Sequence, residues 1–290
     1  MTLSLIDRPL HFEALGAGPD GGWRPPRQFR FLDRVGTVPL SDSELLQTSL
    51  YLPLAVQESA GTHEVVGVVH PDFLARPPIR TDGRWGHFYM PIALRCLPFR
   101  RAGQATGGGN SKLEIATELD ADDDAVLLPL FGENGRLHQD LAGVASLLDR
   151  LETGKARLAS AAASLVAADL LVPLISTNAA NALADDVKLL VIDPRRLRRL
   201  TPARTVALAA DGFLPLDLAT AFVLSSRLWA SNLAPAPSTD DAAQIAIVDP
   251  PSFGQHALGT FAIELRIDDS SLFSFDTFAQ NGPPFVNPGY

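Results

Sequence analysis

Cysteine is nearly absent: Cys96 is the one thiol in 290 residues. A single cysteine excludes an internal disulfide framework and a Cys-based zinc site. Cys96 lies in an apolar run with Arg95 and Arg100 close by, and it reads as a small buried hydrophobe. Lysine is almost as scarce, with Lys112, Lys155 and Lys188 the only three among 24 basic residues. Against 33 acidic residues the formal charge is −9. The chain therefore lacks the basic surface that the phosphate term needs, and no nucleic-acid partner is expected. Long apolar runs are missing too. The most apolar window, residues 158–176, is rich in alanine and contains Asp169 and Pro173, so no membrane insertion is expected. The first residues carry no positively charged leader followed by an apolar stretch, so a cytoplasmic location is expected. There is no Gly-x-Ser-x-Gly, no phosphate loop and no dinucleotide fingerprint; the glycines at Gly107–Gly109 lack a lysine and a following helix.

What is present is ample for a packed core, at 46% hydrophobic and 20% charged residues. Residues 1–36 are heavily punctuated by glycine and proline and read as an extended arm, pinned by Trp23, Phe29 and Phe31. Between residues 38 and 99 short apolar runs at 50–54, 65–69 and 88–90 favour strands. Residues 103–111 read as a flexible loop, 113–119 as a half-buried strand, 120–124 as a solvated acidic turn and 126–131 as another short strand. Residues 137–151 then show apolar positions at helical spacing, and Gly154 is a plausible C-cap. A second, alanine-rich helix over 155–171 is stopped by Pro173. A short strand is expected at 188–192. Asp193-Pro194 and Thr201-Pro202 each open a helix, and a longer helix over 216–233 carries Trp229. The order is α+β: an N-terminal, mainly antiparallel β section, a central helical section, and a short β and aromatic C-terminal tail. The corresponding division is an arm (1–36), an α+β domain (37–234), and a linker with a β tail packing on the body (235–290).

The segment that organises these pieces is 82–99, DGRWGHFYMPIALRCLPF. It opens on the turn Thr81-Asp82-Gly83 and continues with Trp85, Phe88 and Tyr89. Arg95 then sits between Leu94 and Leu97, where a buried guanidinium needs a carboxylate or a set of carbonyls. Trp85, Tyr89 and Arg95 are candidate binding residues. So are Arg195, Arg196 and Arg199 in the basic run 195–199, the best candidate surface for an acidic partner.

In order along the chain, these residues resemble the SapC-like bacterial proteins. The resemblance rests on Leu52-Pro53-Leu54 with Glu58, and on Gly83-Arg84-Trp85, Tyr89-Met90-Pro91, Arg95 and Pro98-Phe99. It continues with Leu130-Phe131 to Gly135, with Ile192-Asp193 before Leu197 and Leu200, and with Gly212, Leu214, Leu216 and Ser225-Ser226. It covers residues 50–233, with one extra residue between Trp85 and Tyr89, and it omits the tail. The resemblance implies an accessory or binding protein without established catalysis, serving an envelope-associated or peptide-modifying system. The partners it implies are a halogenase-like enzyme, an oxygenase or an envelope component. It transfers no catalytic residue and no cofactor.

One catalytic alternative has residues behind it. His138-Gln139-Asp140 has the His-x-Asp spacing of a facial-triad iron site, with His256 as distal ligand and Arg266 as a clamp for 2-oxoglutarate. That reading makes the chain a cupin-like Fe(II) oxygenase. His70-Pro71-Asp72 repeats the spacing, and Asp140 is better explained as a first-turn carboxylate of a helix.

Overall fold

The computed structural model describes residues 10–15, 22–59, 61–102, 113–117, 119, 127–132, 136–177 and 188–237. The expected acidic turn at 120–124, the loop at 103–111 and the tail strands at 244–248 and 260–267 lie outside the described residues. Eleven short strands and seven helices follow one another in this part of the chain. They begin with β1 (Phe12–Ala14), β2 (Gly22–Trp23), α1 (Leu32–Val35), β3 (Thr37–Pro39), α2 (Leu45–Ser49), β4 (Leu54–Ser59) and β5 (Thr62–Val68). Next come α3 (Ile92–Arg95), β6 (Phe99–Arg101), β7 (Leu113–Ala116), β8 (Leu128–Pro129) and α4 (Gln139–Ala167). The last are β9 (Leu171–Ser176), β10 (Leu189–Ile192), α5 (Pro194–Arg198), α6 (Pro202–Leu208), α7 (Leu214–Ser225) and β11 (Leu233–Pro235). Strands and helices are thus both present in the α+β manner, with short helices among the first strands and three strands after the long helix α4.

The main sheet has six strands in the order β11-β9-β10-β4-β5-β3, every pair antiparallel. Its two faces follow from the period of two along each strand. On β4 and β5, Leu54, Val56 and Val65 enter one core with Leu158, Leu165, Leu218 and Phe222 of α4 and α7. Ala55, Val66 and Val68 point the other way, into a core with Phe73, Val172, Leu174 and Val191. A sheet covered on both faces needs continuous apolar strands, which is why 65–69 shows no polar alternation. The sheet is tied to α7 by one buried hydroxyl: Ser225 Oγ accepts from the Leu54 amide at 3.1 Å and donates to the Phe222 carbonyl.

A second sheet, β1-β7-β6, packs with Trp23 and the N-terminal half of α4 around Cys96, Phe99, Leu141 and Leu148. Trp23 meets Phe99 edge-on at 5.0 Å between ring centres. Trp23 and Phe29 are buried, which gives two of the expected arm anchors a core position.

Several expectations about elements are corrected. The two helices drawn at 137–151 and 155–171 are one helix of 29 residues, α4. Gly154 lies inside it, and the reason is space. A Cβ there would stand 2.8 Å from the Asp42 amide nitrogen and would also meet Ser41 Oγ. The helix is stopped by Asp169, ahead of Pro173. Asp169 takes a left-handed φ of 55°, and the Leu170 and Asp169 amides close back on the Leu165 and Val166 carbonyls, a Schellman end. Pro173 instead sits in β9, its carbonyl accepting from Ala236. The helix placed at 216–233 is α7, ending at Ser225 and followed by a 3-10 turn, Ser226–Leu228; Trp229 then bridges to Leu74. Residues 88–90 form no strand.

Candidate functional site

The segment 82–99 is held from below by a residue that is not in it. Ser41 caps the short turn Asp42–Glu44, and Glu44 closes the capping box by accepting from the Ser41 amide at 2.9 Å. Only one carboxylate oxygen is used in this way. The other, Oε2, accepts from the Tyr89 hydroxyl at 2.9 Å and from the Ile92 amide at 2.7 Å. Glu44 is 1% exposed. Burial raises its pKa, against the lowering effect of the three hydrogen bonds and of Arg95. Burial also raises the Tyr89 phenol, reinforced by the neighbouring Glu44.

Above this anchor the chain folds on itself. Gly83 takes a φ of 84° and its amide closes the turn on the Arg80 carbonyl. Trp85 Nε1 donates to the Tyr89 carbonyl at 2.9 Å, and the Trp85 ring meets Phe29 and His87 edge-on. His87 is wedged between Trp85 and Tyr51; burial lowers its pKa. The closed loop leaves Phe88 at its tip, 94% exposed. The Tyr51–His87 contact brings the end of α2 alongside, where Leu46 and Leu50, one turn apart, are 55% and 47% exposed.

Arg95 is exposed at the end of α3, which corrects the expectation of a guanidinium in an apolar setting. The helical turn rotates it away from Leu94 and Leu97, which are buried. It lies over the Tyr89 ring, 5.6 Å from its centre, with Nη2 3.5 Å from the Tyr89 oxygen. Trp85, Tyr89 and Arg95 are therefore brought together, and Glu44 and Phe88 join them. Phe88 was visible as part of the aromatic cluster. Glu44 was not singled out, although Ser41-x-x-Glu44 has capping-box spacing. Cys96, on the next position, is fully buried, and burial pushes its thiol up to about 11.

The basic run sits elsewhere. Asp193 caps α5 by accepting from the Arg195 amide at 2.8 Å. Arg196 forms ion pairs with Asp169 and Asp193, and also donates to the Asp169 carbonyl. Arg195, Arg196 and Arg199 line one small pocket together with Arg204 of α6.

The two His-x-Asp pairs turn out to be the same local device. His70 and His138 are each the N-cap of a helical turn, and Nδ1 of each accepts from the amide of the aspartate two residues on. His256 and Arg266 lie outside the described residues. Among the described residues no group of three or more His, Cys, Asp or Glu side chains is placed to hold a metal ion.

A larger apolar cavity of about 740 Å³ opens beside β6, lined by Phe12, Phe31, Val35, Leu94, Leu97 and Leu148 among others. The cations on its rim are engaged: Arg100 with Glu114, Arg101 with Asp149, Lys155 with Glu64 and Glu152. No described helix is long and apolar enough to cross a membrane.

Comparison with known proteins gives one match. The model of the SapC family matches residues 20–231, which contain both the anchored segment and the basic run. No curated protein and no solved structure matches the chain.

Proposed function

The chain belongs to the SapC family, and from that premise we propose that it is an accessory binding protein that recognises a partner protein through residues 85–95. The observation that carries this reading is Phe88, 94% exposed at the tip of a loop held by buried hydrogen bonds. A solvent-facing aromatic ring gains nothing for the fold. A loop fixed by Glu44 loses little conformational freedom when a partner covers it. Aromatic and arginine side chains are the residue types that dominate binding energy at protein interfaces. Phe88, with Arg95 stacked on Tyr89, supplies both. Leu46 and Leu50, close in the chain to the Tyr51 that touches His87, are further exposed apolar side chains. The partner belongs to an envelope-associated or peptide-modifying system, with a halogenase-like or oxygenase enzyme, or an envelope component, in that role. The reading includes no catalysis by this chain.

The test is retrieval of partners from the native host with the full chain and with Phe88→Ala and Arg95→Ala. The expected result is one protein retained in stoichiometric amount by the wild type and lost with Phe88→Ala, while the melting temperature of the variant stays within a few degrees. Equal retention by wild type and both variants overturns the reading. So does stoichiometric iron in iron-loaded protein that is lost on His256→Ala, because that outcome makes the chain an oxygenase.

A further inference from the structure

We infer that Arg195, Arg196, Arg199 and Arg204 form a binding site for one phosphate-like oxyanion. The four arginines come from α5, its C-cap and α6, and they line one pocket with the left-handed corner 168–170 that ends α4. The pocket they line has a volume of about 150 Å³ and includes one carboxylate, Asp169. Asp169 is already engaged. Its side chain pairs with Arg196, which also reaches Asp193 and the Asp169 carbonyl. That arrangement fixes Arg196 in place and leaves the site basic.

Arg199 and Arg204 are exposed, and their side chains make no hydrogen bond or ion pair among the described residues. In a chain with a formal charge of −9, this is a local inversion of sign. Two unpaired guanidinium groups beside an immobilised one supply forked donors to a tetrahedral oxyanion, the geometry for which arginine is preferred to lysine. The volume sets the class of ligand. It accommodates a single phosphate group with a few waters. The ligand is therefore inorganic phosphate or a phosphate monoester whose organic part stays outside the pocket.

The site is distinct from the Phe88 loop, and its test separates the two. Titration calorimetry on the full chain with inorganic phosphate and with phenyl phosphate, at constant ionic strength, distinguishes the free ion from the monoester. Acetate serves as the comparison anion. Saturable binding of either phosphate, at least tenfold tighter than acetate, is the expected result. Arg199→Gln and Arg204→Gln should each weaken it about tenfold, in line with the loss of a charge-assisted hydrogen bond. Neither variant removes a side-chain hydrogen bond or ion pair among the described residues, so both are expected to melt as the wild type does. Arg198→Gln, whose side chain donates instead to the Pro194 carbonyl, and Phe88→Ala should bind phosphate unchanged. Acetate binding as tightly as phosphate, absence of saturable phosphate binding, or equal weakening by Arg198→Gln overturns the proposal.

Discussion

Glu44 shows how much one buried side chain can be asked to hold. Its two oxygens satisfy the Ser41 and Ile92 amides and the Tyr89 hydroxyl, so Glu44→Ala orphans three donors and is expected to cost roughly 3 kcal/mol or more. The carboxyl also titrates. Its folded pKa is raised above 4.5 by burial, so the folded chain keeps the proton where the unfolded chain has released it. The linked stability is fully present below pH 4.5 and is lost as pH rises through the folded value. Urea midpoints of wild type and Glu44→Gln, compared from pH 4 to pH 7, should show the wild type losing ground relative to the variant as pH rises. A difference independent of pH contradicts this. Ser225→Ala leaves the buried Leu54 amide without its acceptor and should cost about 1–3 kcal/mol in the same assay. Cys96, with a thiol pushed up to about 11 and no exposed surface, should resist a disulfide reagent in the native protein and react fully in urea.

The long helix offers a paired experiment, because its two glycines face different surroundings. Glycine inside a helix costs about 1 kcal/mol relative to alanine. At Gly143 nothing lies within 4 Å of the added Cβ, so Gly143→Ala should stabilise the protein by roughly 0.5–1 kcal/mol. At Gly154 the same change drives a methyl against the Ser41 hydroxyl and the Asp42 amide and should destabilise by about 1–3 kcal/mol. Urea midpoints shifting the same way for both variants contradict this packing. The pair also shows what was legible in the sequence. The apolar spacing of residues 137–151 revealed the helix. Gly154 read as an end because a glycine that ends a helix and a glycine that lets another chain segment approach look alike in one dimension. The same holds for the segment 82–99. Its turn at Gly83, its aromatic cluster and its central place could be read from residue types. Its anchor could not, because Glu44 and Tyr89 are 45 residues apart and only the fold joins them. The exposure of Arg95 was hidden for a related reason: four residues of helix are too few to announce a period. His-x-Asp misled in the opposite direction, since a helix cap and half of an iron site use the same two residues at the same spacing.

At the scale of the molecule, the α+β class expected from the sequence holds, but not a strict order of strands then helices: β9 and β10 of the main sheet follow the long helix α4. The strands at 62–68 and 189–192 were readable because both faces of the main sheet are covered, which leaves unbroken apolar runs in the sequence; the run read at 50–54 instead ends where β4 begins. Strands β1 and β2 were not, being two or three residues long and held by partners far away in sequence, whereas β8 falls inside the short strand expected at 126–131. The most consequential whole-molecule feature is that α4 serves two cores. Its first half supplies Leu141, Leu148 and Leu151 to the core around Trp23 and Phe99, and its second half supplies Leu158, Ala161 and Leu165 to the core of the main sheet. At a rise of about 1.5 Å per residue the helix runs roughly 43 Å. Neither core can open while the helix stays whole, and the helix cannot stay whole once either core has opened. The amides of Leu148 and Leu165 should therefore exchange with deuterium through one shared opening event, with equal free energies and an equal response to denaturant. Two separate exchange rates would mean that Gly154 is a joint at which one half of the protein can come apart without the other.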